Sequence, residues 1–260
     1  MNPDWLRPDW PAPPNVHAVF TNRLGGLSEG LYGSMNLGSH VGDLPQHVAG
    51  NRDILGQALG CEPVYLNQVH GVDICHLPVQ AAPTPPVADG AYTRQAAQVC
   101  TVMVADCLPV LLCDVNGTAV AAVHAGWRGL AGAGGEGVLE AAIRQFQPQA
   151  PVKYAQAAPE LIAWLGPCIG PTAFVVGPEV RQAFIQTNPL AESCFVAHGT
   201  GKWMCDLARL ARQRLAWAGV RGVFGNDSSA PWCTVSNSSR FFSFRRDRFS
   251  GRMAACVWLT

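Results

Sequence analysis

The amino-acid sequence predicts a mixed α/β protein, of the α/β or α+β class, that folds as one domain over residues 1–260. Hydrophobic residues make up 48% of the 260-residue chain and charged residues 14%, a composition that supplies a substantial core and argues against disorder. Apolar runs of strand length alternate with segments of helical spacing, without a strict βαβ rhythm. Because no internal repeat or interdomain linker interrupts this alternation, we expect a single domain.

Short apolar or alternating runs predict the strands. They lie at residues 16–20, 65–71, 73–77, 99–104, 108–113, 118–123, 161–165 and 253–259. Asn116 and Gly117 turn the chain between two of these runs, as in a hairpin. A long loop is expected over residues 28–43 and a proline-rich connection over residues 78–86. Long loops in compact domains tend to be functional or mobile.

Four segments have the apolar spacing of a helix. They lie at residues 51–59, 138–146, 178–186 and 205–218. Gly60 and Gly219 follow the first and the last of them and are suited to ending a helix. Arg52 stands at the predicted start of the first helix, where helix amides attract anions. It is therefore a candidate phosphate ligand, and the alternative is a solvated arginine.

The net charge of the chain and the spacing of its cysteines argue against several classes of protein. The chain carries 18 basic and 18 acidic side chains, and this zero net charge argues against nucleic-acid binding through a strong positive field. No signal peptide and no membrane span are apparent, so we expect a cytoplasmic protein without a membrane partner. The ten cysteines lack C-x-x-C spacing, and most are expected to be reduced core residues. Cys107 is the exception, with Cys168 as a possible second.

A cysteine and a histidine stand at predicted strand ends that the turn at Asn116-Gly117 brings together. Cys107 follows the run 99–104, and His124 follows the run 118–123. The pair suits a covalent catalytic dyad, in which the imidazole stabilises the thiolate. It equally suits a zinc site, for which His70 offers a third ligand and leaves one position open. The remaining alternative is a small core cysteine with two structural histidines.

The glycine-rich segment 132–137 matches the dinucleotide pattern G-x-G-x-x-G and precedes a predicted helix, with Glu160 farther along. That pattern should directly follow a strand, and residues 125–131 intervene here. A nicotinamide or flavin site is therefore disfavoured. The glycines let the backbone approach the Cys107 and His124 site closely, and the helix start could still favour a phosphate.

Several motifs carry a family resemblance over residues 16–259. They are GVDICHL, ADGAYT, ADCLPVLLCD, VHAGWRG, GPCIGPTAFVVGPEV and FSFRRDRFSGR, in that order. In this combination the chain resembles the YfiH family, also called the multicopper polyphenol oxidoreductase (laccase) family. The resemblance implies two packed mixed sheets covered by helices, an α/β/β/α sandwich. It also implies zinc held by His70, Cys107 and His124.

The resemblance further implies purine nucleoside phosphorylase, methylthioadenosine phosphorylase and adenosine deaminase activity. Bacterial relatives are also linked to peptidoglycan precursor editing, and the fold resembles that of a cysteine-dependent toxin deamidase. The laccase label fits the composition poorly, because seven histidines without an H-x-H pair cannot hold the several coppers of a multicopper oxidase. We therefore expect zinc as the cofactor and regard copper as the weaker alternative.

Three function classes follow. The first is a purine nucleoside enzyme, in which phosphorolysis needs an anion site, with Arg52, Arg128 and Arg23 as candidates, whereas deamination needs zinc-activated water. Gln68, beside His70, is a further candidate for substrate binding. The second is a cysteine-dependent amide hydrolase or cell-wall editing factor with Cys107 as nucleophile and His124 as base. A redox-regulatory or scaffold protein is the third. The expected partners are a small nucleoside and phosphate, bound by a monomer or homodimer.

Overall fold

A computed structural model of the chain describes residues 4–80, 82–147 and 159–260. The strands among them are β1 (Val16–Phe20), β2 (Pro63–Val64), β3 (Ile74–His76), β4 (Gly90–Thr93), β5 (Val99–Val104), β6 (Leu108–Asp114), β7 (Val120–Ala125), β8 (Leu161–Leu165), β9 (Val175–Val176), β10 (Phe195–Ala197), β11 (Trp203–Cys205), β12 (Gly222–Gly225) and β13 (Met253–Leu259). The helices are α1 (Pro45–Leu59), α2 (Trp127–Ala131), α3 (Val138–Gln145), α4 (Pro178–Ile185), α5 (Leu207–Trp217) and α6 (Phe244–Asp247).

Two mixed sheets form the centre of the molecule. The smaller has the strand order β1-β13-β5-β2, and the larger has the order β12-β8-β6-β7-β4-β3. Each contains antiparallel pairs and at least one parallel pair, β2 with β5 in the smaller sheet, and β3 with β4 and β8 with β12 in the larger. A short third sheet, β10-β11-β9, lies outside this pair.

Period-2 alternation along the strands divides the core into layers. Val102 of β5 and Leu111 of β6 belong to one buried cluster, which joins the two sheets face to face. Leu112, the next residue of β6, belongs instead to the cluster that the larger sheet shares with α3 and α5. Met103 likewise points from β5 into a cluster with Leu55 of α1. The layers are therefore helix, sheet, sheet, helix, which confirms the expected α/β/β/α sandwich.

The predicted hairpin is present and sets the register of the central strands. β6 and β7 pair antiparallel, with Leu108 opposite Ala125 and Pro109 opposite His124. Gly117 has φ 66°, a left-handed conformation that glycine adopts without steric cost. The strand over 118–123 was predicted two residues too early, because β7 covers Val120–Ala125. His124 therefore lies within β7, one residue before its end.

Two predicted elements were wrong in ways that bear on the site. The segment 65–71 is not a strand: His70 has φ 61°, and Asn67 makes only an isolated bridge to Val87. The first helix starts at Pro45, so Arg52 lies in its middle, away from its N-terminus. Proline at the first helical position is favourable because its missing N–H would have no helical partner there. Because the segment PQHVAG contains a glycine, which is a poor helix former, the first turn and a half of α1 was not predicted from the sequence.

Several elements were not predicted. The largest omissions are β4, which pairs β7 with β3, and β12, which extends the far edge of the larger sheet. The helices at 138–146, 178–186 and 205–218 are confirmed with ends shifted by one or two residues, as α3, α4 and α5. Residues 28–43 are largely loop, as expected. In the described part of the chain, no helix has the length and apolar character needed to cross a membrane.

Candidate active site

Cys107, His124 and His70 converge at one end of the larger sheet. Cys107 immediately precedes β6, and the pairing of Pro109 with His124 places the β7 histidine beside it. His70 arrives from the loop after β2, and its Nε2 lies 3.6 Å from Cys107 Sγ. One potential ligand atom from each of the three lies within 4.8 Å of the others. The structure thus brings together the three residues that the sequence nominated.

Asp89 connects the two histidines and was missed at the sequence level. Its Oδ1 accepts hydrogen bonds from His124 Nδ1 at 2.8 Å and from His70 N at 2.9 Å. Its Oδ2 accepts from the backbone N–H groups of Val69 and Gly71. The carboxylate is fully buried and has partners for all four lone-pair positions. It therefore orients one histidine ring directly and shapes the loop that carries the other.

These bonds also shift the ionisation of the site. Burial opposes ionisation of Asp89, yet its hydrogen bonds to His124 and Gly71 lower the pKa of the carboxyl group. Burial likewise opposes the charged forms of Cys107 and His124, but the two charges stabilise each other more strongly. The pKa of Cys107 is lowered to about 6, and that of His124 is raised to about 9. Without a metal, the pair is thus a thiolate and an imidazolium near pH 7.

Glycines allow the close approach at this end of the sheet. A Cβ on Gly126 would lie 2.6 Å from His70 Cδ2 and 3.2 Å from Cys107 Sγ. A Cβ on Gly129 would lie 2.6 Å from the carbonyl oxygen of Gly71. The two distances of 2.6 Å are shorter than side chains tolerate, so the segment HAGWRG requires these glycines to pack against the His70 loop.

The three side chains lie in a cleft of about 470 Å³. Its apolar lining includes Phe174, Trp127 and Phe244. The charged and polar residues that line it, apart from the three potential ligands, are His40, Gln68, Asp106, Arg128, Arg245 and Arg252. This combination of an apolar wall and a few convergent polar groups is typical of a small-molecule site.

The three cleft arginines have no carboxylate partner for their guanidinium groups in the described part of the chain. Among the described residues, no acidic oxygen lies within 4.0 Å of a guanidinium nitrogen of Arg128, Arg245 or Arg252. Arg245 donates through Nη1 to Val175 O, and Arg252 donates through Nη1 to two backbone carbonyls. Their remaining guanidinium nitrogens therefore keep free donors, which suit an anionic or strongly polar ligand.

Asp106, next to Cys107, has a constrained backbone. It has φ 94°, an unusual value for a residue with a side chain. Its Oδ1 accepts from Thr234 Oγ1 and its Oδ2 from Arg245 N, each at 2.6 Å. The left-handed residue turns the chain sharply at the end of β5, which directs Cys107 into the cleft. The C-terminal segment is tied to the same point.

The other predicted site residues divide into two that line the cleft and two that lie outside it. Arg128 lines the cleft with its guanidinium over the Trp127 ring, 4.4 Å from the centroid. Gln68 also lines it, but both ends of its amide are bonded to the backbone of Met103. Arg52 and Arg23 do not line the cleft. Arg52 donates to Leu37 O and stacks over Tyr65, whereas Arg23 donates to Gly33 O and Ser238 O.

The two remaining sequence candidates are structural. Burial raises the pKa of Cys168 well above its ordinary value, and its Sγ accepts a bond from Asn226, so it is no second thiolate. The start of α3, after the glycine-rich segment, is capped by its own Glu140, whose carboxylate accepts from Gly137 N and pairs with Arg214. A carboxylate already occupies the place where a phosphate would bind.

The donor set fits a zinc ion. Two imidazoles and a cysteine whose thiolate form is favoured are a recognised ligand combination for catalytic zinc, with one position left for substrate. The bond from His124 Nδ1 to Asp89 leaves Nε2 for a metal, and such a carboxylate partner is typical of metal-binding histidines.

Comparison with known proteins finds related chains over nearly the full length of the sequence. Residues 17–260 match the family model described as multi-copper polyphenol oxidoreductase laccase. The chain is 46% identical to a Pseudomonas aeruginosa protein named a purine nucleoside phosphorylase, over 98% of each chain. It is also 46% identical to purine nucleoside phosphorylase YfiH of Escherichia coli, over 97% of each.

Solved structures with the same fold agree. A protein from Neisseria meningitidis superposes with a TM-score of 0.87 at 45% identity, covering 98% of this chain and 99% of that one. YlmD from Geobacillus stearothermophilus superposes with a TM-score of 0.83 at 30% identity, covering 98% and 96%. The similarity extends over essentially the whole chain in each case.

Proposed function

The chain belongs to the multi-copper polyphenol oxidoreductase laccase family, the YfiH family, and on that premise we propose that it is a zinc-dependent purine nucleoside phosphorylase. One observation supports this most directly. The cleft joins a His70, Cys107 and His124 cluster to arginines that lack carboxylate partners. A phosphorolytic site needs such free cationic donors, because its nucleophile is a dianion.

The reaction breaks the bond between the purine and the sugar. An oxygen of hydrogen phosphate forms a bond to C1′ while the C1′–N9 bond breaks and its electron pair passes to the purine. The purine takes up the proton that hydrogen phosphate gives up. The products are the free base and ribose 1-phosphate. Most of the catalysis asked of the protein is therefore positioning of the two reactants and stabilisation of charge.

The described residues can be assigned parts in that task. His70, Cys107 and His124 would hold zinc, which supplies Lewis acidity when bound. Asp89 orients the His124 ring and shapes the loop that carries His70. Phe174, on the apolar wall, offers a face against which a purine ring can pack. The nucleoside fits the cleft with its sugar toward the cluster and its base against that wall.

The substrates that we propose are adenosine, inosine, guanosine and methylthioadenosine, with adenosine deamination as an accompanying activity. An apolar wall contacts the purine ring but discriminates poorly between its substituents. This property agrees with a broad set of bases. A cysteine-dependent amide hydrolase is the second candidate, because the lowered pKa of Cys107 and its imidazolium neighbour also describe a nucleophile and its base. Copper in place of zinc and polyphenol oxidation are disfavoured by the single three-ligand cluster in the described residues.

The test follows products with and without phosphate. Purified protein is incubated with each nucleoside, and free base, ribose 1-phosphate and ammonia are measured alongside zinc content. We expect base and ribose 1-phosphate only when phosphate is present, and stoichiometric zinc. His70→Ala should abolish both, whereas His76→Ala is the matched control, since His76 lies on β3, bonds Gln145 and is outside the cleft.

Other outcomes separate the alternatives. Ammonia release from adenosine without phosphate would make deamination the main reaction. Turnover of amide substrates by zinc-free protein, with no nucleoside cleavage, would favour the hydrolase instead. Absence of base release from all four nucleosides would overturn the proposal.

A further inference from the structure

We propose that Arg252 and His40 form the phosphate subsite of this cleft and that Arg52 positions the loop segment that carries His40. The inference rests on the proposed function and deepens it by assigning the residues that hold the second substrate. It also gives Arg52, which does not line the cleft, a part in phosphate capture that involves no contact with the anion.

Arg252 is the most enclosed of the three cleft arginines. It is half-buried, whereas Arg128 and Arg245 are exposed. Its Nη1 donates to the carbonyl oxygens of Ser250 and Gly251 at 2.8 and 3.1 Å, which fixes the guanidinium plane. Its Nε and Nη2 make no hydrogen bond within the described residues. Two donors in one plane are the geometry that arginine presents to a phosphate.

Arg252 lines the same cleft as the three potential ligands. Burial lowers the pKa of its guanidinium, and the negative charges of Cys107 and Asp106 act in the opposite direction. A phosphate on Arg252 would therefore lie beside the cluster toward which the sugar is directed, as an attack on C1′ requires.

His40 supplies a second donor on the same side. It lines the cleft, and burial together with the charges of Arg252 and Arg52 lowers the pKa of its ring. The imidazole is therefore neutral near pH 7 and keeps one N–H to donate. A phosphate brought between His40 and Arg252 would meet a neutral N–H donor on one side and a guanidinium on the other.

The loop segment 36–40, which carries His40, is built onto Arg252. Asn36 is fully buried, and its Oδ1 accepts from both Gly38 N and Arg252 N at 2.9 Å. Leu37 N donates to Arg252 O at 3.1 Å. A Cβ on Gly38 would lie 2.7 Å from Arg252 Cγ, so only glycine permits this packing. The segment and the arginine therefore hold a defined relative position before any ligand binds.

Arg52 completes this support from helix α1. Its Nε and Nη2 donate to Leu37 O at 3.0 and 2.9 Å, and Nη2 reaches Ser39 Oγ at 3.5 Å. Its guanidinium is held over the Tyr65 ring, 3.8 Å from the centroid. The hydrogen bonds act on Leu37 and Ser39, shortly before His40, and the Tyr65 ring holds the guanidinium in place. Arg52 is thus a positioning residue, and its role does not require a guanidinium N–H group to reach the cleft.

The experiment measures KM for phosphate and KM for the nucleoside separately. Arg252→Gln is expected to raise the phosphate KM by about tenfold or more, because it removes a charged donor pair. His40→Gln and Arg52→Ala should each raise it by about three- to tenfold, since each removes or misplaces a single neutral donor. The nucleoside KM and zinc content should stay within about twofold of wild type. Arg7→Gln is the matched control, since Arg7 is exposed and outside the cleft.

Phosphate binding without turnover gives an independent readout. Inorganic phosphate should raise the melting temperature of the wild type, and this shift should be lost in Arg252→Gln. Wild-type phosphate KM and melting shifts in both Arg252→Gln and His40→Gln would overturn the assignment. So would loss of adenosine 5′-monophosphate binding in Arg252→Gln with an unchanged phosphate KM, which would assign the pair to a nucleotide phosphate. A wild type that needs no phosphate at all would refute the proposed function instead, and the two failures are therefore distinguishable.

Discussion

The two ends of strand β6 hold the same residue types in opposite states. At the cleft end, Cys107 lies between two histidines, and its pKa is lowered to about 6. At the hairpin end, Cys113 is fully buried beside Asp114, and burial followed by that charge raises its pKa to about 12. The two thiols are about 20 Å apart along one strand. The neighbouring side chains decide which cysteine is favoured as a thiolate.

The carboxylates at the two ends differ in the same way. Asp114 closes the hairpin by accepting bonds from Thr118 N, Thr118 Oγ1 and Ala119 N. Asp89, at the cleft end, accepts three backbone N–H bonds, and its fourth partner is His124. One carboxylate therefore shapes a turn, and the other shapes a loop and orients a potential metal ligand. Variants at paired positions can test this contrast.

The largest effect is expected for Cys107→Ala. Loss of a ligand or nucleophile should lower turnover by at least about 10³-fold. The fold should persist, because truncating a partly exposed cysteine costs about 1 kcal/mol of the unfolding free energy. Cys113→Ala is the matched variant and should keep near wild-type turnover. The measurement is phosphorolysis rate with circular dichroism, and insoluble Cys107→Ala protein would point to a purely structural cysteine.

The next effect is the pH dependence of thiol alkylation after chelator treatment. A lowered pKa keeps Cys107 as a thiolate down to about pH 6, and below that pH protonation removes its reactivity. The iodoacetamide rate should therefore be half-maximal near pH 6, whereas an ordinary thiol has its midpoint near about 8.5. Cys113 should stay unmodified in the folded protein.

Peptide mass spectrometry identifies the alkylated cysteine, and added zinc should protect Cys107. A midpoint close to that of an ordinary thiol would show that the histidines do not stabilise the thiolate. Equal labelling of Cys113 would remove the contrast between the two strand ends.

A moderate effect is expected for Asp89→Asn. The amide cannot accept all four bonds, so zinc affinity should fall by about 10- to 100-fold. Because folding lowers the pKa of Asp89, its ionised carboxylate stabilises the folded state at pH values above the ordinary aspartate pKa. This stabilisation is lost as the pH falls through the lowered pKa. Asp114→Asn should instead cost about 1–3 kcal/mol of unfolding free energy and leave zinc affinity unchanged.

Competition with a chromophoric chelator gives the zinc affinities, and urea unfolding gives the free energies. If both variants weakened zinc binding equally, Asp89 would have no special link to the histidines.

The smallest effect is expected for Gly117→Ala at the hairpin. Alanine would have to adopt φ 66°, which costs about 1–2 kcal/mol of the unfolding free energy. Turnover should be unaffected, because the cleft is at the other end of the strand. Thermal unfolding and the phosphorolysis rate check this, and a large loss of turnover would show that the two ends are coupled.

The local hydrophobic pattern of the sequence was sufficient to predict much of the fold. The strands β5, β6, β8 and β13 and the helices α3, α4 and α5 follow from apolar periodicity, because each buries a continuous face. Pattern failed where the backbone is set by contacts distant in sequence. The segment at His70 is apolar enough for a strand, yet three N–H bonds to Asp89 bend it into a loop. β4 has only four residues and was too short to stand out.

The candidate site was predicted in part. Cys107, His124 and His70 were recognised as a group, and Arg128 does line the cleft. Asp89 was overlooked although it lies within the motif ADGAYT, which served only for the resemblance. Its position just before a glycine-led strand, at a strand end like the other site residues, was the available signal.

The sequence by itself determined the residue types of the site, the strand ends that present Cys107 and His124, and the family, because these depend on local spacing and order. Only the tertiary structure decided what each charged side chain faces. Arg252 meets the segment before His40 across more than two hundred residues, and Arg52 is turned from the cleft to the carbonyl of Leu37. Such contacts arise because α1 packs against the sheet that contains the C-terminal strand, and no local period records them.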